Sequence, residues 1–295
     1  MEIIVQQLVN ALSLGGIYAL LALGLAVVFS IIRLINFAHG EIMTVVGFVV
    51  CASLFLGCPI PAALLIGVAV SVLAAISMER LAFRAMKGAG VVSLLITSFA
   101  ISEILKVAFQ NGISARPKPI ALPSGFSGSF EVAGIVVGVI PVVSIAITLV
   151  SLSCLSLFLR KTTTGMAMRA AAEDFDMVRL VGVPASKVVA TAFAVSGLLA
   201  GIAAVVWTAQ RGSVDPLMGF FPVLKAFIAT ILGGLGSLAG AVLGGFVVGA
   251  IEVISQAFLP DSISPYRDAI VLGCVILILL IRPNGLIPPT QVDRS

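Results

Sequence analysis

The sequence predicts an all-α, polytopic integral membrane protein: a helix bundle of about eight transmembrane spans plus one short or re-entrant helix. Two observations are compositional, because 60% of the 295 residues are hydrophobic and only 10% are charged. Soluble domains average about 45–50% apolar and about 25% charged residues. The third observation is that the apolar residues form long continuous runs, which excludes the alternating segments of a membrane β-barrel.

Nine apolar runs follow one another, and the helices are assigned to them. They lie at residues 8–32, 42–57, 60–78, 91–110, 132–159, 188–208, 218–235, 240–259 and 266–281. A helix needs roughly 20 apolar residues to cross a bilayer. The seventh run contains Pro222 and Lys225, so it is the predicted short or re-entrant helix. Whether it crosses decides the side of the C-terminus, and the sequence leaves both alternatives open.

The basic residues lie mainly between these runs and indicate the orientation. With the N-terminus outside and every run crossing, most Lys and Arg residues lie in the loops of the inner side, as the positive-inside rule requires. The chain has no Lys/Arg-rich run, so its net charge of +4 indicates topology and contact with membrane lipid rather than a nucleic-acid partner. One membrane domain, 1–295, fills the chain.

A polar segment at 160–187, on the predicted inner side, interrupts the apolar sequence. We predict two short helices that meet at Glu173 and Asp174, because "GMAMRAAAE" is rich in helix formers and Asp174 can cap the second helix. Gly182 suits the left-handed position after a helix. Apolar residues on two faces of the second helix favour a docking element for a cytoplasmic protein. The alternative is an amphipathic loop that lies on the bilayer surface.

The alanines and the glutamate of this segment resemble the EAA-type coupling loop of ABC importer permeases, although the order is A-A-A-E rather than E-A-A. Longer stretches are similar to the branched-chain amino-acid permeases of the LivH/LivM type, and more to LivH because the chain is short. They are "GGIYALLALGLAVVFSIIRLINFAHGE", "MAMRAAAEDFDMVRLVGV", "LKAFIATILGGLGSLAGAVLGG" and "LIRPNGLI". These stretches occur in order and span nearly the whole chain.

The resemblance implies the permease subunit of an ATP-binding-cassette importer, which moves branched-chain amino acids across the bacterial inner membrane. It implies four partners: a second, LivM-like permease subunit, two cytoplasmic ATPases and a periplasmic substrate-binding protein. ATP and Mg are expected on the ATPases and no cofactor on this chain, which lacks a GK[ST] phosphate loop. The residues implied in ATPase coupling are Arg169, Ala170, Ala171, Ala172, Glu173, Asp174, Arg179 and Gly182.

Other functions remain open at this stage. Relatives of this type also carry urea, short-chain amides or other small polar solutes. A stand-alone secondary carrier usually has ionisable groups near mid-membrane and inverted repeats, and the sequence displays neither clearly. An intramembrane enzyme is disfavoured because no Ser/His/Asp, paired-carboxylate or HExxH arrangement occurs.

The segment "INFAHGE" at 35–41 holds the only histidine, which is too few ligands for a metal site. It is either a break in a discontinuous helix that faces a polar pathway or a capped turn at the inner surface. The candidate residues of a translocation path are Asn36, His39, Glu41, Thr97 and Ser98. Glu252, in the eighth run, has no explanation from the sequence.

Glycines recur at four-residue spacing in the later runs. Small residues at this spacing let helices approach closely in lipid. We therefore assign helix packing to Gly197, Gly201, Gly236, Gly240, Gly244 and Gly249.

Overall fold

The computed structural model describes residues 2–86, 88–120, 128–132, 135–260 and 262–287, and the statements below concern these residues. The helices in chain order are α1 (Glu2–Ile32), α2 (His39–Phe55), α3 (Ile60–Met78), α4 (Val91–Gly112), α5 (Val139–Lys161), α6 (Thr163–Glu173), α7 (Phe175–Leu180), α8 (Ala185–Arg211), α9 (Phe220–Gly233), α10 (Leu238–Phe258) and α11 (Arg267–Ile281). The strands are β1 (Lys118–Pro119), β2 (Ser129–Val132), β3 (Ile135–Gly138) and β4 (Ser213–Val214).

Each of the nine apolar runs contains a helix, and α6 and α7 occupy the polar segment. Six helices are long and apolar enough to span a bilayer: α1, α3 with the π-helical turn Glu79–Phe83 that continues it, α4, α5, α8 and α10. The predicted multi-pass helix bundle is therefore confirmed. The fifth helix begins at Val139 rather than near residue 132, because β2 and β3 pair as an antiparallel hairpin before it.

Helix α1 lies at the centre of the bundle and packs against α5, α8, α9 and α10. Its residues from Ile17 to Ala22 are almost completely buried. A helix that is hydrophobic on every side can face either other helices or lipid. The apolar character of α1 is therefore compatible with its central position, which the packing of the other helices decides.

The helices form two inverted halves, α1–α4 and α8–α11. The contact of α1 with α10 in one direction corresponds to the contact of α8 with α3 in the other. In the same way, the contact of α2 with α3 corresponds to the contact of α9 with α10. The contacts of Gly24 with Ser196 and of Ser13 with Gln210 show that α1 and α8 run antiparallel. The sequence displays no clear internal repeat, so only the packing reveals this symmetry.

Glycines lie at the closest helix contacts of both halves. On α8, a Cβ at Gly197 would meet Ala75 Cβ of α3 at 2.5 Å, and one at Gly201 would meet the side chain of Ser71. On α10, a Cβ at Gly249 would collide with the backbone of Gly15 of α1. Close backbone approach supplies the dispersion contacts that hold helices together in lipid.

The remaining predicted packing glycines lie where α9 and α10 meet. Gly240 approaches the backbone of Gly233, and Gly244 approaches that of Ala229. Gly236 is different, because it lies in the turn between these helices with a φ of 94°. A left-handed turn conformation, which glycine adopts without strain, explains Gly236 better than the helix packing assigned from its spacing.

Two short strands join distant loops on the outer side. β1, in the loop after α4, pairs antiparallel with β4, which follows α8. The loop at 111–131, predicted as irregular, therefore contains strand residues at both Lys118–Pro119 and Ser129–Val132. Residues 121–127 of that loop lie outside the described residues.

The chain after α11 returns to the inner end of α9. The amides of Leu286 and Ile287 donate to the carbonyls of Leu232 and Gly233, at 2.8 and 2.9 Å. The turn after α9 also lies beside Arg33, at the inner end of α1. The end of α9 and β4 therefore lie at opposite ends of the bundle, so the seventh run completes a crossing. In the predicted orientation, residues 282–287 lie on the inner side.

Candidate functional site

The polar segment folds as two capped helices, as predicted. The hydroxyl of Thr162 accepts a hydrogen bond from the amide of Gly165 at the start of α6, at 3.0 Å. The carboxylate of Asp174 accepts from the amides of Asp176 and Met177 at the start of α7, at 3.1 and 3.0 Å. Gly182 follows α7 with a φ of 85°, and Pro184 prevents the helix from continuing. Local sequence therefore fixes both ends of α7.

The two helices are anchored by one face and open on the other. Met168, Ala171 and Val178 are buried against the bundle, where α6 contacts α1, α5 and α8. Leu180 and Val181 are each 80% exposed. A rigid, capped helix on the inner side thus presents large apolar side chains outward.

The residues assigned to ATPase coupling differ in their exposure. Arg169, Ala170, Glu173, Arg179 and Gly182 are exposed, Ala172 and Asp174 are partly buried, and Ala171 is buried. Arg179 lies 3.7 Å from the carboxylate of Asp176, a surface ion pair of little energetic value. Seven of these eight residues therefore have surface available for a partner.

A cavity of about 690 Å³ lies between α7 and the inner ends of α1 and α3. Phe175 and Arg179 of α7 line one wall, and Arg33 lines another. Glu79, whose side chain is 1% exposed, accepts two hydrogen bonds from the guanidinium of Arg84 at 3.0 and 2.9 Å. This bidentate pair lines a third wall of the cavity and holds the chain in place just after α3.

The first helix break lies between α1 and α2. Arg33 has a φ of 56°, and the chain then turns back into the bundle. The imidazole of His39 lies beside Gly24 of α1, with Nδ1 3.1 Å from the hydroxyl of Ser196. Gly24 precedes the end of α1 by eight residues, or about 12 Å of helix. Helix α2 therefore begins inside the membrane, which supports the discontinuous-helix interpretation and contradicts the turn at the inner surface.

Helix α9 forms a second break at the same depth. Its first turn follows Gly219, whose backbone contacts that of Gly40 at the start of α2. With 14 residues, α9 is about 21 Å long and is shorter than the roughly 30 Å hydrocarbon core. Two helix N-termini, each with a partial positive charge, thus meet near mid-membrane.

Four of the five predicted path residues surround these breaks. Glu41 is buried and accepts hydrogen bonds from the hydroxyls of Ser102 and Thr44, at 3.0 and 3.3 Å. Ser98 accepts from the amide of Phe37 at 3.2 Å. Thr97 donates instead to the carbonyl of Ser93 in its own helix, at 2.8 Å, and lies on another face of α4.

Asn36 and His39 complete this group and carry unused polar atoms. Within the described parts of the chain, Asn36 Oδ1 and His39 Nε2 are buried without a hydrogen-bond partner. Such groups are costly in a low-dielectric interior. The breaks therefore bring together polar atoms of four predicted path residues, while their role in a path stays a prediction.

Comparison with known proteins identifies the family. Residues 7–280 match the model of the branched-chain amino acid transport system permease component. The chain belongs to this family.

The sequence similarity between this permease and its relatives covers almost the entire chain. It is 33% identical to the high-affinity branched-chain amino acid permease BraD of Pseudomonas aeruginosa, over 98% of the chain and 97% of that protein. Its identity to LivH of Escherichia coli K12 is also 33%, over 98% and 97%. LivM of Salmonella typhimurium is 27% identical over 67% of the chain and 51% of that protein, so the permease is of the LivH type. No solved structure matches it.

The permease contains a cluster of ionisable groups that sequence reasoning missed. Lys225 of α9 lies 2.6 Å from the carboxylate of Glu252 of α10 and 3.2 Å from that of Asp268 of α11. The hydroxyl of Tyr18 donates to Glu252 at 2.7 Å. Lysine and glutamate within consecutive apolar runs are a signal for such a pair, but the register between α9 and α10 is needed to recognise it.

Proposed function

We propose that this chain is the LivH-type transmembrane subunit of an ATP-binding-cassette importer that moves branched-chain amino acids across the bacterial inner membrane. It pairs with a second, LivM-like permease subunit. Two cytoplasmic ATPases bind the inner side, and a periplasmic binding protein delivers the substrate. This chain transports and does not catalyse, since ATP and Mg bind to the ATPases.

The observation that carries the proposal is the outward apolar face of α7. Leu180, the last residue of α7, and Val181, directly after it, are each 80% exposed. Exposure of these side chains to water is unfavourable, because full burial of a Leu or Val side chain stabilises a protein by about 1.5–3 kcal/mol of free energy. A docked ATPase would cover these side chains and contact the exposed Glu173 at the other end of α7.

The inner cavity supports a route from α7 to the membrane-spanning helices. Phe175 and Arg179 of α7 share the cavity with Arg33, after which the chain re-enters the membrane toward α2. Closure of the ATPase dimer would pull on α7 and change the shape of this cavity. The displacement would reach the paired helix breaks at Gly40 and Gly219 and switch access between the two sides.

The substrate assignment rests on the relatives, which are named as high-affinity branched-chain amino acid permeases. The binding protein is the component that selects the solute in this arrangement. A related system for urea, a short-chain amide or another small polar solute would keep the same coupling loop. Uptake of leucine, isoleucine and valine by the reconstituted complex, measured against urea and acetamide, distinguishes these substrates.

The coupling proposal is tested with L180A in α7 and the matched variant L81A. Leu81 is 82% exposed near the inner end of α3 and lies outside α7. We expect L180A to lower the amount of ATPase that co-purifies with the permease and to lower leucine uptake, whereas L81A leaves both unchanged. Equal ATPase recovery and equal uptake for both variants would contradict docking through α7.

A second candidate, a stand-alone carrier, is favoured by one observation: the inverted halves with broken helices and a buried ion pair, which are frequent in secondary transporters. The family match favours the importer. Purification from the native membrane separates the two functions. Recovery of two ATPases supports the importer, and solute transport by the chain alone in liposomes without ATP supports the carrier.

A further inference from the structure

A cavity of about 370 Å³ opens on the outer side, above the start of α9. One part of its wall is apolar and contains Trp207, Leu217, Met218 and Phe221. Its volume lies in the lower part of the range of about 300–1,000 Å³ that is usual for small-molecule sites. The cavity therefore suits a small ligand with an apolar end.

The cavity is also lined by charged residues of both signs. Arg267 lines it, and the Nε of Arg267 is buried without a hydrogen-bond partner within the described parts of the chain. The side chain of Asp268 is 54% exposed and pairs with Lys225 at 3.2 Å. A buried donor without a partner and a half-exposed carboxylate thus stand next to each other at the start of α11.

We propose that this cavity binds the zwitterionic head of a branched-chain amino acid, with Arg267 binding the carboxylate and Asp268 binding the ammonium group. The branched side chain of the substrate packs against Trp207 and Phe221. Arg267 lines the cavity, and a guanidinium and a carboxylate form strong bidentate hydrogen bonds. The inference rests on the proposed function and adds a substrate-binding site on this subunit, between the binding protein and the helix breaks.

Four other charged residues line the cavity and already contact groups of the chain: Arg211, Asp215, Lys225 and Glu252. Glu252 accepts from Tyr18 at 2.7 Å and from Lys225 at 2.6 Å. The guanidinium of Arg211 lies 4.5 Å from the ring centroid of Trp207, a cation–π contact. Asp268 pairs with Lys225 but remains half exposed, so this carboxylate and its neighbour Arg267 are the oppositely charged groups that we assign to a ligand of two opposite charges.

The test uses Trp207, the only tryptophan of the chain, as a reporter in the complete complex of permease subunits and ATPases in nanodiscs. The signal of a W207F complex is subtracted, because the partners contribute their own fluorescence. Three ligands with the same isobutyl side chain are titrated: leucine, 3-methylbutylamine without the carboxylate, and 4-methylpentanoate without the ammonium group. The variants are R267Q and D268N, with R116Q on the outer loop as the matched control.

We expect leucine to bind more tightly than either truncated ligand, because each charge-assisted interaction contributes about tenfold or more in affinity. R267Q should weaken leucine about tenfold and leave 3-methylbutylamine unchanged. D268N should weaken leucine and leave 4-methylpentanoate unchanged. R116Q should bind all three ligands as the wild type does.

Equal leucine affinity in R267Q, D268N and R116Q would overturn the site, and so would a wild-type complex whose Trp207 signal does not respond to leucine. Uptake assays with the binding protein present keep this failure distinct from that of the proposed function. If the wild-type complex takes up leucine while Trp207 does not respond, the site is wrong and the importer stands. If no branched-chain amino acid is taken up, the proposed function itself is wrong.

Discussion

Replacement of Lys225 by Met tests whether the ion-pair cluster holds α9 against α10. The side chains of Lys225 and Glu252 are only 15% and 8% exposed. Removal of the lysine leaves the Glu252 carboxylate buried with Tyr18 as its remaining partner. Breaking a buried pair from one side typically costs about 3–5 kcal/mol of folding free energy. The contact with Asp268 adds little, because that carboxylate is half exposed.

The variants E252Q and K225M/E252Q complete a double-mutant cycle. In E252Q the glutamine still accepts from Tyr18 and Lys225 still has Asp268, so we expect a smaller loss of about 1.5–3 kcal/mol. In the double variant no unpaired buried charge remains, because the carboxylate of Asp268 is half exposed. It should therefore be more stable than K225M alone, and the cycle should yield a coupling of about 2 kcal/mol.

The assay is reversible unfolding of the purified subunit in mixed micelles with increasing denaturing detergent, followed by tryptophan fluorescence. K187M, at an exposed lysine on the inner side, is the matched control and should unfold as the wild type does. The reasoning fails if K225M is as stable as K187M. It also fails if K225M/E252Q is no more stable than K225M, since the loss would then not come from an unpaired carboxylate.

Three further predictions follow from packing, capping and ion pairing. G249A should destabilise the protein, because the added Cβ would collide with the backbone of α1. The control G273A has open space around its Cβ and should gain up to about 1 kcal/mol of stability from helix propensity. Thermal unfolding midpoints compare the two variants, and equal shifts of the midpoint would contradict the contact of Gly249 with α1. D174A should remove the cap of α7, at a cost of about 0.5–2 kcal/mol, and speed hydrogen exchange of the α7 amides, while D174N should retain slow exchange. R84A should leave the buried carboxylate of Glu79 without its two hydrogen bonds and lower the unfolding midpoint; R84K should restore part of the loss, and an R84A midpoint equal to the wild type would refute a role for the pair.

The prediction of a membrane helix bundle succeeded because hydropathy along the chain is a local property. An apolar run must satisfy its backbone hydrogen bonds within itself in lipid, so each run formed a helix whatever its neighbours were. Local chemistry also determined the polar segment. The side chain of Asp174 and the left-handed backbone of Gly182 define α7 without help from the rest of the bundle.

Tertiary structure decided what the local pattern left open. Whether "INFAHGE" turns at the inner surface or re-enters the membrane depends on the contact of His39 with Gly24 and Ser196, which lie far away in sequence. The side of the C-terminal segment depends on the hydrogen bonds of Leu286 and Ile287 to the end of α9. Neither contact can be predicted from the hydropathy of the sequence.

The sequence by itself thus determined the class of the protein, its apolar runs, the two capped helices of the inner side and the family resemblance. Only the tertiary structure decided the inverted halves, the meeting of the two helix N-termini at Gly40 and Gly219, and the pairing of Lys225 with Glu252. The physical reason is the range of the interactions involved. Helix formation and capping act within a few residues, whereas ion pairs and close backbone contacts depend on which faces of distant helices come together.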